Sequence, residues 1–204
     1  MELLCTKCAR TPPVARAAPI VEAVPRRPRP QFPGAIYHVT SRGNRKRAIF
    51  VDDADRGSFL DTVASVVDRH GWICTAFCLL GTHYHLALET PAGDLATGMQ
   101  RLNSHYAQSF NQRHRDVGHV FQGRYHSVLV EREEHLLALW RYVALNPVRA
   151  GACARPEDWR WSSYRAVVGL AAPPRFLSVA PVLATFGDDP RAASDWFRAF
   201  VEGV

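Results

Sequence analysis

Gly81-Thr82-His83-Tyr84-His85-Leu86-Ala87-Leu88-Glu89-Thr90 follows an apolar run from Trp72 to Leu80. Gly81-Thr82 interrupts that run, and alternation sets in behind it. Side chains of an extended chain repeat every two residues, so His83 and His85 share one face. Their Cα atoms then lie about 6.5–7 Å apart. Two imidazoles at that spacing converge on one metal ion, which takes its third ligand from elsewhere. Trp72–Leu80 reads as a mostly buried strand, and the tight turn between the two runs predicts a hairpin. A lone His-x-His is more simply two polar residues on a half-exposed strand. The rest of the chain has to decide.

Upstream of the hairpin, Asp52 and Asp53 are placed to cap a helix over 54–70. Phe59, Val63, Val66 and Val67 form its apolar face, and Gly71 ends it. Before it, Ala35-Ile36-Tyr37-His38-Val39-Thr40 alternates and reads as a strand. That strand runs into a basic loop, Ser41-Arg42-Gly43-Asn44-Arg45-Lys46-Arg47. From Val24 to Phe50 there are seven Arg or Lys and no Asp or Glu. Such a run beside a strand end is a candidate phosphate-contacting surface, carried by Arg42, Asn44, Arg45, Lys46 and Arg47. Residues 1–30 are rich in Pro, Ala and Arg without period and read as a disordered basic leader. Cys5-x-x-Cys8 in that leader lacks a second ligand pair and makes a weak zinc half-site. Pro25-Arg26-Arg27-Pro28-Arg29-Pro30 reads as an extended cationic arm.

Downstream, Asp94 precedes a helix over 95–114 with Leu95, Met99, Leu102, Tyr106 and Phe110 as its apolar stripe. Tyr106 is therefore a core residue. Extended chain is expected from Gly118 to Val130 with a bend or bulge at Gly123. Arg124 and His126 would share one face there, as phosphate or substrate contacts. Glu133 and Glu134 lead a third helix, with Leu136, Trp140 and Val143 buried. Tyr142 and Asn146 lie one turn apart on its flank. Pro147 predicts that the helix ends or distorts at Asn146, and Gly151 stops it. Trp159-Arg160-Trp161-Ser162-Ser163-Tyr164 is an aromatic cluster expected to pack over the sheet. Apolar helical patterns recur around Val179–Phe186 and Ala192–Val201. Cys74 and Cys78, about 13 Å apart along a strand, read as core.

The 204 residues suggest one domain with added ends: a leader at 1–30, a folded unit at 31–169 and a helical extension at 170–204. A hydrophobic fraction of 47% is enough for a sizeable core. Net charge +6 and a pI near 9.4 favour a polyanionic partner. Five cysteines without a secretion signal point to a reducing cytosol. No apolar run reaches the ~18–20 residues that a membrane span needs.

A phenol is a poor nucleophile at neutral pH, since its ordinary pKa is about 10. A divalent ion beside it neutralises a phosphodiester oxygen and makes the phosphorus more electrophilic. Attack by a tyrosine then forms a covalent phosphotyrosine and conserves the bond for rejoining. His83, His85 and the Asn146 side-chain carbonyl would supply three ligands of a kind suited to Mn²⁺ or Mg²⁺.

At these residues the sequence resembles the REP-associated tyrosine transposases, within the single-tyrosine HUH superfamily. The matching pieces are Tyr37-His38-Val39-Thr40-Ser41-Arg42-Gly43-Asn44, then His83-Tyr84-His85, then Phe121-Gln122-Gly123-Arg124-Tyr125. Arg141-Tyr142-Val143-Ala144-Leu145-Asn146-Pro147-Val148-Arg149-Ala150-Gly151 and Trp161-Ser162-Ser163-Tyr164 follow. The match covers about Pro25 to Gly169. The resemblance implies an α+β fold, a ferredoxin-like antiparallel sheet flanked by helices. It implies that Tyr142 cuts single-stranded DNA beside a palindromic hairpin, leaving a 5′-phosphotyrosine and a free 3′-OH, with metal on His83 and His85. Asn146 stands where related insertion-sequence enzymes use a Gln. A hairpin-binding protein without catalysis is the alternative on the same fold. Monomer and homodimer are both compatible with the sequence.

Overall fold

The computed structural model describes residues 31–203. The leader, its Cys5-x-x-Cys8 pair and its cationic arm lie outside the described residues. The expected hairpin forms from β2 (Ile73–Leu80) and β3 (His83–Thr90). β3 also pairs with β1 (Ala35–Arg42), and β1 with β4 (His126–Val130). All neighbours are antiparallel and the order is β2-β3-β1-β4. Helix α1 (Asp53–His70) connects β1 to β2, and α2 (Leu95–His114) connects β3 to β4. This is a ferredoxin-like sheet, as the resemblance implied.

The alternation in β3 separates two faces. Tyr84, Leu86 and Leu88 join Tyr37 and Val39 of β1 beneath α1 and α2, in a core that includes Phe59, Val63, Leu102 and Tyr106. His83, His85 and Ala87 point the other way. That second face is covered by α3 (Glu133–Arg149) with α4 (Tyr164–Val167), α5 (Ala180–Ala184) and α6 (Pro190–Glu202), through Trp140, Val143, Tyr164, Val182, Phe197 and Val201. Tyr106 is core, as its position in the stripe demanded, and its hydroxyl donates to the Ile49 carbonyl.

A bulge in β2 changes one detail. Pairing with β3 slips between Cys74 and Ala76. Cys74 therefore faces the α1/α2 core while Cys78 faces the α3 side. An extra residue in a strand reverses the faces on either side of it. The freed Thr75 accepts the Trp140 indole N–H at 3.0 Å, which ties α3 to the sheet two residues before Tyr142.

Four expectations need correction. α3 runs through Pro147 to Arg149 without ending at Asn146. Pro147 removes one backbone bond to the Val143 carbonyl, but burial of Trp140, Val143, Ala144 and Pro147 holds the helix together. Asn146 is 6% exposed, so it lies beneath the helix and not on an open flank. The 118–125 segment is a loop, because Gly118 (φ +94°) and Gly123 (φ +73°) turn the chain while Phe121 and Tyr125 bury themselves. Only His126 of the expected pair enters β4, and Arg124 precedes it. The Trp159–Tyr164 cluster packs on the sheet as expected, with Tyr164 buried and Trp159 and Trp161 against the two cores, while its backbone runs along the outer edge of β2. Leu79 N–H donates to Trp161 O and Ser163 N–H to Phe77 O, both at 2.9 Å. That closes an otherwise unpaired strand edge.

Asp52 caps α1 as expected, accepting from Asp55 N–H at 3.0 Å. Asp94 stands at the start of α2, but its carboxylate instead binds Trp72 Nε1 and His70 Nδ1. Asp55, 2% exposed, fastens the far end of α2 to α1. It accepts from Val51 N–H at 2.8 Å, and meets Arg113 and His114. Burial pushes the Asp55 carboxyl up, but bonds from His114, Val51 N–H and Arg113 outweigh it and hold it below the usual range. A depressed carboxylate stabilises the fold above its unfolded pKa, and that contribution is lost as pH falls through the folded value. We expect Asp55→Asn to cost about 3 kcal/mol in urea unfolding at pH 7. The gap from wild type should shrink in acid; a gap that widens there would contradict the assignment.

Candidate active site

The second face of the sheet carries more imidazole than the hairpin alone supplies. In the register, Arg42 of β1 stands opposite His83, Thr40 opposite His85, and His38 opposite Ala87. His126 of β4 stands opposite Thr40 on its other side. Directly opposed residues of an antiparallel pair share a face. His38, His83, His85 and His126 therefore project to the side covered by α3.

His83 and His85 have ring centroids 5.1 Å apart. His83 Nδ1 lies 3.0 Å from the Thr82 hydroxyl, which leaves Nε2 as its outward donor atom. His85 is 5% exposed, and its Nδ1 lies 2.9 Å from His38 Nε2. Its own Nε2 is buried with no hydrogen-bond partner. Burial lowers His85 to about 3, with His38 and His83 adding to the effect. Burial likewise lowers His38 to about 4, assisted by His126. His83 is lowered by burial and by Arg42. All three rings are thus neutral at pH 7, the state in which imidazole ligates a metal.

Tyr142 meets this group from above. Its ring centroid is 5.5 Å from that of His85 and 5.6 Å from that of His38, edge-on to both. The residue is 37% exposed, so the ring is anchored while the site stays open to solvent. Arg149, two turns further along α3, holds its guanidinium 5.3 Å from the Tyr142 ring centroid.

An orphaned His85 Nε2 beside a neutral His83 fits a bound divalent ion, since a buried lone pair without a donor is otherwise unfavourable. Among the described residues no cluster of three or more His, Cys, Asp or Glu could hold a metal. The Asn146 amide, one turn after Tyr142 and buried beneath α3, is the candidate third ligand.

The basic residues divide. Arg42 projects on the His83 side and reaches the Gln122 amide oxygen at 3.4 Å. Beyond it the chain makes a single 3-10 turn, Asn44–Lys46. Arg45 (φ +51°) and Lys46 (φ +63°) sit in the left-handed region, and both are exposed. A Cβ on Gly43 would come within 2.0 Å of the Arg47 carbonyl, so only glycine allows this turn. Two strained cations held outward are a costly arrangement that a binding role would explain. Arg47 pairs with Asp116 at 3.1 Å. Asn44 and Arg124 line a groove of about 460 Å³ between α2 and the 118–124 loop, away from Tyr142. His126 remains on the α3 side.

His38 and Arg149 join the site without having been marked by the sequence. His38 was visible in principle, because the Tyr37-His38-Val39-Thr40 alternation puts it opposite the apolar Tyr37 and Val39. What was missing was the register that sets it beside His85. Arg149 is at i+7 from Tyr142, a spacing that returns to the same helix side.

Residues 31–146 match the IS200-like transposase family. The chain belongs to that family. A Haemophilus influenzae protein described as a REP-associated tyrosine transposase is 28% identical over 142 residues, covering 64% of this transposase and 80% of the relative. A solved structure of a REP-associated tyrosine transposase bound to a REP hairpin superposes with a TM-score of 0.61 at 16% identity. It covers 76% of this transposase and 92% of that chain. At such identity the superposition speaks for the fold. No helix among the described residues of the transposase is long and apolar enough to cross a membrane.

Proposed function

We infer that this transposase cuts and rejoins single-stranded DNA beside a palindromic hairpin, with Tyr142 as the nucleophile. The observation that carries this reading is the packing of Tyr142 against His85 and His38 of its own chain. Tyr142 Oη attacks the phosphorus and the P–O3′ bond breaks. The tyrosine keeps the 5′-phosphate, the phenol proton passes to solvent, and the 3′-oxygen leaves as a free 3′-OH. The reverse attack by a 3′-OH restores the phosphodiester and frees Tyr142, so no energy source is needed for rejoining.

His83 and His85, through their Nε2 atoms, and the Asn146 amide would hold a divalent ion, Mg²⁺ or Mn²⁺. When bound, that ion supplies charge neutralisation at the non-bridging phosphate oxygen. Arg149 adds a second positive charge beside the attacking ring. The packing of Tyr142 against two rings restricts its rotamers and aims the hydroxyl. Its exposure admits a DNA strand.

The hairpin partner is supported by what the neighbouring structure holds and by the outward cations of the 42–47 turn. Arg42, Arg45, Lys46 and Arg47, with Asn44, Arg124 and His126, would follow the phosphates. Replacing Arg42, Arg45 and Lys46 together by Gln should weaken hairpin binding uniformly across sequences. The slope of log affinity against log salt should fall by about one for each phosphate no longer neutralised by a side chain. An unchanged slope would remove the turn from the DNA surface.

The reading is tested by incubating the protein with a labelled single-stranded hairpin and Mn²⁺, then separating under denaturing conditions. A covalent protein–DNA band and a shortened strand ending in 3′-OH are expected. Binding without a band would leave a hairpin-binding protein on the same fold.

A further inference from the structure

We propose that His38 is a positioning residue that holds the His85 imidazole in the one tautomer able to bind a cation. The inference rests on the reading of His83 and His85 as metal ligands and adds a residue to it.

His38 Nε2 and His85 Nδ1 are 2.9 Å apart, so one proton lies between them. Two arrangements are possible for two neutral rings. If His38 donates, His85 Nδ1 accepts and His85 must carry its proton on Nε2. That atom is buried without a partner, and a proton on it would bar a cation from the ring. If His85 donates instead, Nδ1 carries the proton and Nε2 presents a bare lone pair. Only the second arrangement can ligate. His38 then bears its own proton on Nδ1 and acts as acceptor. Hydrogen bonding at one ring nitrogen is what fixes the tautomer at the other.

Geometry limits how else this could be arranged. His38 and His85 stand on adjacent strands, with rings nearly parallel at 21° and centroids 5.2 Å apart. Thr82, which engages His83, does not reach His85 Nδ1 in the structure; His38 is the partner seen there. His38 also packs edge-on against Tyr142. The same ring therefore orients the ligand and restricts the nucleophile. β1 supplies it from a position where alternation demands an outward-facing side chain.

The test uses the full chain and three substitutions: His38→Gln, His38→Leu and, as reference, His85→Ala. Gln places its amide oxygen near the Nε2 position and can still accept from His85. Leu fills similar space and cannot. Long-range ¹⁵N–¹H spectra of the imidazoles, recorded without metal, report the tautomer directly. His85 should be Nδ1–H in wild type and in His38→Gln, and shift toward Nε2–H in His38→Leu. Mn²⁺ binding, followed by the loss of the free-ion paramagnetic resonance signal, should weaken about 10–100-fold in His38→Leu. It should recover most of that loss in His38→Gln. Thermal melts confirm that each variant is folded.

Wild-type His85 found as Nε2–H would overturn the proposal whatever the metal does. So would full Mn²⁺ affinity in His38→Leu, or a loss in His38→Leu that Gln fails to restore, since that would be packing alone. Wild type that binds no Mn²⁺ would refute the metal reading, and the tautomer spectrum would still decide the role of His38.

Discussion

Tyr142→Phe yields a folded protein that forms no covalent adduct with hairpin DNA. The substitution removes one oxygen from a residue that is 37% exposed, so stability should stay within about 0.5 kcal/mol of wild type. The ring contacts with His38 and His85 persist, because Phe keeps the ring. Adduct formation should fall by at least about 10³-fold, since no other hydroxyl replaces a lost nucleophile at its position. Hairpin affinity should be unchanged. Tyr106→Phe is the control with the opposite profile. Tyr106 is 1% exposed, and its hydroxyl serves the Ile49 carbonyl. Its loss should lower stability by about 1–2 kcal/mol and leave the adduct intact. If Tyr142→Phe still forms the adduct while Tyr106→Phe does not, the nucleophile has been misassigned.

His85→Ala should be the second near-complete loss, by a different route. Truncation removes the buried Nε2 that has no protein partner, and strands His38 Nε2 on the other side. Mn²⁺ affinity should drop by about 100-fold or more, and cleavage with it. Hairpin binding should remain, because the phosphate contacts proposed for Arg42 and the 45–47 turn do not involve His85. His83→Ala should be milder in stability, since His83 is only half-buried. Excess Mn²⁺ should rescue it better than His85→Ala. Cleavage by His85→Ala at wild-type rate in Mn²⁺ would exclude the pair as a metal site.

The sheet was legible because period-two alternation in Ala35–Thr40 and His83–Thr90 is a local property of the chain. Helices 53–70 and 95–114 were legible from apolar spacing, the first also from its capping Asp52. Pro147 misled, because a local rule about helical geometry met a buried stripe strong enough to override it. The 118–125 loop misled for the converse reason. Its residues look extended, but two glycines at positive φ let Phe121 and Tyr125 turn inward. At the candidate site, His83, His85 and Tyr142 could be named once the family resemblance joined residue type to spacing. The place of His38 could not, since it depends on which residues of β1 and β3 are opposed. Register between strands nearly fifty residues apart is set by the whole core.

β3 therefore answers to two masters at every second codon. Tyr84, Leu86 and Leu88 belong to the core that keeps the protein folded; His83 and His85, on the function proposed above, carry the chemistry. Inserting or deleting a single codon in the strand would exchange the two sets, pointing imidazoles into the α1/α2 core and tyrosine toward α3. Length in this strand should consequently be fixed more tightly than residue identity at Ala87. Lineages that lose activity through substitution at His83 or His85 should go on making a folded, DNA-binding protein.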